Sequence, residues 1–201
     1  MKILILAAAL LAAGGAHAYE LRGKVIAIAD GDTITLLDAD KRQQKIRLAD
    51  IDAPERRQPW GQRAKDALSR LVMARDVRTD CREADRYGRH VCTIFAGTTD
   101  VNAALITQGH AWVYERYNRR SDLPRLQAQA RAARRGLWQL PEAERIDPAD
   151  WRKQQRKGKK HDSKQTVPAR SNDGNPRRAA TSQTNNGESD TGGGKSGQES
   201  R

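Results

Sequence analysis

Two aliphatic and β-branched runs, Val25-Ile26-Ala27-Ile28 and Thr33-Ile34-Thr35-Leu36-Leu37, flank an Asp30-Gly31 step. This arrangement restricts the fold more than any other feature of the chain. It reads as an antiparallel hairpin, because an Asp-Gly turn twists the backbone in the sense that flanking strands need. Lys45 to Ile51 alternates charged and apolar residues, the period of a half-buried strand. Ala53-Pro54 ends it, since proline forces its predecessor into extended geometry and donates no amide. Trp60, Ala64, Ala67, Leu68, Leu71 and Val72 recur at three- and four-residue spacing, the face of an amphipathic helix. A second hairpin is expected from Val77–Cys81 and Arg89–Phe95, around Asp85-Arg86-Tyr87-Gly88. Asp100 can cap a helix that runs to Gln108 and stops at Gly109. A last helix starts at Ser121 or Asp122 and runs to Arg135, before Gly136. The order β-β-β-α-β-β-α-α predicts a mainly β, α+β fold. Five short antiparallel strands with about three flanking helices favour a small closed barrel over a parallel sheet.

The register of the second hairpin pairs the two cysteines. With Arg86 opposite Tyr87 at the tip, Cys81 falls opposite Cys92. Directly opposed Cα atoms lie about 4.5–5.5 Å apart, within reach of a disulfide. Such a short loop adds about 3 kcal/mol at most. Two buried free thiols are the alternative. Two Cys and a lone His90 fall short of a four-ligand zinc site.

Both ends of the chain read differently from its middle. Residues 1–18 have the pattern of a secretory signal peptide: Lys2, an apolar run from Ile3 to Ala13, and Ala16-His17-Ala18 as a cleavage site. The apolar run is shorter than the roughly 20 residues of a membrane span. This implies an exported protein, periplasmic or secreted, with no stable membrane insertion after cleavage. An oxidising compartment also permits the disulfide. From Arg152 to Arg201 large apolar residues are nearly absent, and 12 Lys and Arg stand against 5 Asp and Glu. Such a composition cannot bury enough apolar surface to offset its ordering entropy. A disordered basic tail is therefore expected over 152–201, leaving 19–151 as one domain. The tail holds most of the net charge of +12, which suits contact with polyanions or a solvated linker. Nothing in the sequence indicates an obligate protein partner.

Against this basic background, carboxylates gather in Asp30-Gly31-Asp32 and Asp50-Ile51-Asp52-Ala53-Pro54-Glu55. Asp32 and Asp52 are candidate ligands of a hard divalent cation, with a main-chain carbonyl near Ala53 and water completing an oxygen shell. Asp30 and Asp50 are equally placed by spacing. Glu55, just beyond a strand end, is placed to act as a general base. Arg47 and Arg89 offer planar forks that match phosphate oxygens. Carboxylates for a cation beside guanidinium groups for phosphate point to metal-assisted cleavage of a phosphodiester.

The ordered set of motifs resembles the staphylococcal nuclease (thermonuclease) family over about Gly23 to Trp138. The matching stretches are Asp30-Gly31-Asp32-Thr33, Arg47 to Glu55 and Asp85-Arg86-Tyr87-Gly88-Arg89. Val101-Asn102-Ala103-Ala104-Leu105, Gln108-Gly109 and Arg135-Gly136-Leu137-Trp138 follow in the same order. The resemblance implies a five-stranded OB-fold barrel and a Ca²⁺-dependent endonuclease of DNA and RNA, of low sequence specificity, that leaves 3′-phosphate ends. It places metal ligation on Asp32, Asp52 and the Ala53 carbonyl, and catalysis on Arg47, Glu55 and Arg89. Arg86, Tyr87 and Tyr114 fall at substrate-contacting positions. Trp112 stands where a second tyrosine is common, so it offers a stacking face without a hydroxyl. The competing reading is a non-catalytic nucleic-acid-binding barrel of the same fold, which uses its face for single strands.

Overall fold

The computed structural model describes residues 18–165. The expected signal segment lies outside them except for Ala18, as does the tail beyond Gln165. The elements are β1 (Tyr19–Ile28), β2 (Thr33–Leu37), β3 (Gln43–Leu48), β4 (Ile51–Asp52), α1 (Gly61–Val72), β5 (Asp76–Ala84), β6 (His90–Ala96), β7 (Thr99–Asp100), α2 (Val101–Thr107), β8 (Trp112–Val113), α3 (Leu123–Ala132) and α4 (Pro148–Gln165). Strands run in the order β3-β2-β1-β5-β6, and β6 returns to pair with β3, which closes a five-stranded barrel. That closing pair is parallel, with Leu48 opposite Cys92. The remaining barrel pairs are antiparallel. This is the OB fold that the motifs imply.

The core forms where the alternating pattern turns inward. Val25, Ile34, Leu36, Ile46, Leu48 and Ile94 fill the barrel, and Ala64, Leu68 and Val72 of α1 cap it. Small residues on α1 let the helix approach the site. A Cβ on Gly31 would lie 2.6 Å from the Ala53 Cβ and 2.8 Å from that of Ala64. Glycine is thus what allows the β1–β2 turn to lie against both the β4 end and α1.

The second hairpin corrects one detail of the expected register. Cys81 does oppose Cys92, and a disulfide joins them with Cα atoms 4.0 Å apart. The tip is not a two-residue turn, however. Asp85 and Arg89 close it, with the Asp85 amide on the Arg89 carbonyl at 2.8 Å. An irregularity between Cys81 and Glu83 absorbs the extra residue, so Arg82 steps out of the ladder.

The expected strand Lys45–Ile51 is interrupted. Asp50 adopts a φ of 65°, the left-handed region that aspartate tolerates better than most residues. The chain kinks there, and β4 leaves the barrel to pair with β8, Asp52 opposite Trp112.

The largest departure is at the C-terminal side. Disorder was expected from Arg152, but α4 runs through that boundary. The helix starts with Pro148 in its first position, and the Asp147 carboxylate accepts the Ala149 amide at 2.8 Å. Lys, Gln and Arg are good helix formers, so a low apolar content lowered the expected burial without opposing helix formation. No helix among the described residues is long and apolar enough to cross a membrane.

Between α1 and α2 the Trp60 indole donates to His110 Nδ1 at 3.0 Å. Burial pushes the His110 pKa below its ordinary 6.5, and the Arg70 charge adds to this. A depressed histidine pKa makes neutral His110 a stabilising group. Its contribution is complete above about pH 6.5 and fades as the pH falls through the lower folded value. Melting temperatures measured from pH 7.5 to 4.5 should therefore fall more steeply for the natural protein than for His110→Gln. Parallel curves would disprove the assignment.

Candidate functional site

Five segments converge on one cleft of about 1030 Å³: the β1–β2 turn, the β3–β4 kink with its following loop, the β5–β6 hairpin, the segment after β8, and α4. Asp32 sits at the end of the first turn and is 6% exposed. Its Oδ2 accepts the Ala53 amide at 2.7 Å, and its Oδ1 accepts the Thr33 hydroxyl at 3.2 Å. Asp30, by contrast, bonds the Asp32 amide through its own Oδ1 at 3.1 Å, which makes it the turn-forming aspartate.

The same separation appears at the second pair. Asp50 and Asp52 would share a face in a regular strand, but the kink turns them apart. Both oxygens of Asp50 accept from Arg82, and Oδ1 also accepts the Arg119 amide at 2.8 Å. The Asp50 carbonyl holds the Tyr114 amide at 2.9 Å. Asp50 is therefore a structural anchor for the segment that carries Tyr114. Asp52, 2% exposed, turns into the cleft beside Asp32.

Arg47, on β3, joins the two inward carboxylates. Its Nη1 lies 3.0 Å from Asp32 Oδ2, and its Nη2 donates to Asp52 Oδ1 at 2.9 Å. Only 13% of its side chain is exposed. Even so, burial pushes the Asp32 carboxyl up to about 7. Asp30 and Asp52 add to the rise, while Arg47 and the Ala53 amide oppose it.

Glu55 lies at the rim of the cleft. A Cβ on Gly61 would lie 1.9 Å from the Glu55 carbonyl oxygen, so α1 begins in direct contact with this loop. Buried Gln58 holds the loop from below, accepting the Glu55 amide at 3.1 Å and donating to the Ile146 carbonyl at 2.5 Å. Glu55 is not paired with Arg56 or Arg57, the partners a surface glutamate would find. It pairs with Arg152 of α4 at 2.7 Å.

Arg89 lines the opposite wall, held by Asp85 through Nε at 2.8 Å and Nη2 at 2.7 Å. Burial raises the Asp85 pKa, but its hydrogen bonds to the Arg89 side chain and to the Arg89 and Tyr87 amides outweigh it, so the carboxylate stays below its ordinary range. Arg86 and Tyr87 form the exposed hairpin tip, with the Arg86 guanidinium donating to the Tyr87 hydroxyl at 2.8 Å. Tyr114 packs edge-to-face on Tyr117, 4.8 Å between centroids. Trp112 packs on Trp138 at 4.5 Å. The cleft thus gathers Asp32, Arg47, Asp52, Glu55, Arg89 and Tyr114 on one surface.

Sequence reasoning missed Arg152, Arg82 and Arg119. Arg152 had a signal in the Asp147-Pro148 helix start one turn before it, which the basic composition obscured. Arg82 had none, because a bulge residue has no local signature in this hairpin.

The donor set fits a hard divalent cation. Among the described residues no three His, Cys, Asp or Glu side chains converge as a metal cage. Asp32 and Asp52 would supply two carboxylates, and main-chain oxygen, water or phosphate would fill the remaining positions, an all-oxygen shell.

A closed OB barrel with paired carboxylates and guanidinium groups in one cleft defines a protein built to handle a phosphodiester. Residues 45–140 match the family described as "Staphylococcal nuclease homologue". "Protein ParB" of Escherichia coli is 43% identical over 146 residues, covering 67% of this chain and 81% of that protein. "Micrococcal nuclease" of Shigella flexneri is 37% identical over 145 residues, 67% of this chain and 82% of that protein. An "Uncharacterized endonuclease" of Haemophilus influenzae is 38% identical over 133 residues, 66% and 74%. The chain belongs to the staphylococcal nuclease family, and these relationships support a nuclease function. The family match takes in Arg47, Asp52, Glu55 and Arg89; Asp32 and Arg152 lie outside it.

If Asp50 anchors rather than ligates, Asp50→Ala should destabilise the fold by about 2–3 kcal/mol, the worth of hydrogen bonds to a charged group. Denaturant unfolding would measure it. A variant as stable as the natural protein would return Asp50 to the list of free cleft carboxylates.

Proposed function

We propose that this protein is an exported, Ca²⁺-dependent endonuclease that hydrolyses DNA and RNA to products with 3′-phosphate ends. The observation that carries the reading is the bridging of Asp32 and Asp52 by Arg47 in a cleft that also holds Glu55 and Arg89. Asp32, Asp52 and the Ala53 carbonyl would hold the cation. When bound, the ion neutralises phosphate charge and draws the scissile group toward the two carboxylates.

The chain's own residues divide the remaining work. Glu55 accepts a proton from the attacking water, a role that needs an ionised carboxylate at the cleft rim. Arg47 and Arg89 donate to the phosphate oxygens, where negative charge grows as phosphorus becomes five-coordinate. Arg89 is already oriented by Asp85, so little reorganisation is needed on that wall, whereas Arg47 gives up its contacts to Asp32 and Asp52 to reach the phosphate. Departure of the 5′-oxygen leaves phosphate on the 3′ side. Arg86, Tyr87 and Tyr114 would meet the flanking nucleotides through charge and stacking. The Cys81–Cys92 disulfide supports export to an oxidising compartment. The non-catalytic barrel is disfavoured because both carboxylates, the glutamate and both arginines converge.

Incubation of the purified full chain with single-stranded DNA, with Ca²⁺ or with chelator, tests the reading. Cutting should require Ca²⁺, and the fragments should carry 5′-hydroxyls that a polynucleotide kinase labels without prior phosphatase. Arg89→Ala should lower kcat by about 10²–10³-fold, the usual loss for one transition-state donor. Glu55→Gln should be comparably impaired. DNA retention without cutting would favour the binding module instead.

A further inference from the structure

Arg152 enters the cleft from outside the barrel. Its Nη2 donates to Asp52 Oδ2 at 2.6 Å, and its Nη1 donates to Asp52 Oδ1 at 3.1 Å and to Glu55 Oε1 at 2.7 Å. Arg47 already occupies Asp52 Oδ1. Every oxygen of Asp52 therefore faces a guanidinium. Calcium binds carboxylate oxygens at about 2.3–2.6 Å, and its charge would repel a guanidinium seated on the same atoms.

The position of Arg152 is built, not incidental. The Asp147 cap fixes the start of α4 one turn earlier, and Gln58 ties the preceding Ile146 carbonyl to the Glu55 loop. About one third of the Arg152 side chain remains exposed, so it has room to leave without unfolding the helix. Arg156 lies one turn further along the same cleft wall but makes none of these bonds.

We propose that Arg152 is a positioning residue that holds Asp52 and Glu55 in place of the divalent ion and must release Asp52 for that ion to enter. It thereby sets the cation affinity of the site. A bidentate, charge-assisted contact keeps two clustered carboxylates preformed when no cation is bound, at the cost of weaker cation binding. The exchange makes α4 part of the site's cation response. This inference rests on the reading of Asp32 and Asp52 as cation ligands.

Calorimetric titration of the full chain with CaCl₂ tests it, using the natural protein, Arg152→Ala, Arg152→Lys and Arg156→Ala. Arg152→Ala should bind Ca²⁺ about 10- to 100-fold more tightly, equivalent to the loss of one competing charge-assisted hydrogen bond. Arg152→Lys should fall between, since it keeps the charge and loses the fork. Arg156→Ala should stay within about threefold of the natural protein, because salt screens an exposed charge that has no ion pair among the described residues. In chelator Arg152→Ala should melt below the natural protein, and added Ca²⁺ should close the gap. If Arg152→Ala does not fold, Arg152→Lys carries the comparison, with a gain of at least about threefold expected. Equal or weaker binding by the Arg152 variants, or an equal gain from Arg156→Ala, overturns the proposal. If Asp32→Ala abolishes Ca²⁺ uptake while the Arg152 variants match the natural protein, this proposal fails and the cation reading stands. Absence of uptake by every variant overturns both.

Discussion

Two carboxylates, Asp32 and Asp52, are buried within reach of one guanidinium, and the local structure is arranged around keeping them there. Burying a single unpaired charge costs several kcal/mol. The protein offsets that cost with Arg47, which comes from the same strand as the kink that turns Asp52 inward. It adds the Ala53 amide on Asp32 and places Gly31 where any side chain would push the two turns apart. Burial above all holds Asp32 above the usual carboxylate range, with the Asp30 and Asp52 charges adding to the rise. Arg152 adds a second guanidinium, which pairs with Asp52 and Glu55.

The barrel matters to this arrangement because it is closed. The parallel β3–β6 contact brings the Arg47 strand beside the hairpin that carries Arg89. The disulfide ties β5 to β6 at Cys81 and Cys92. Just beyond Cys81, the irregular step at Arg82 frees a guanidinium for Asp50. That ion pair, with the Arg119 and Tyr114 amides, draws the β8 segment against the back of the kink. One side of the kink is thus anchored by Arg82 and Arg119, and the other is turned to the cleft arginines. Adjacent aspartates with the same strand parity take different roles because a single left-handed residue separates their directions.

Much of this was legible from residue order. Alternating runs, an Asp-Gly turn and helix caps marked both hairpins, α1 and α2. The cysteine pairing followed from strand register. Asp32, Arg47, Asp52, Glu55 and Arg89 could each be named, because a hard cation and a phosphate demand particular functional groups. Residue spacing alone could not tell which member of each aspartate pair faces inward; only the family resemblance favoured Asp32 and Asp52. The inward direction depends on a φ angle at Asp50 and an Asx bond at Asp30, set by packing and not by spacing. Nor did the basic composition past Trp151 reveal α4, since its docking rests on ionic contacts to residues about a hundred positions away.

The amino-acid sequence by itself determined the strand and helix pattern and the inventory of acids and arginines, because these follow from local periodicity and functional-group chemistry. Tertiary structure decided which carboxylates are buried, which are paired and which cation contends for them. Those outcomes follow from long-range packing, which sets the distances and the local dielectric on which every charge interaction in the cleft depends.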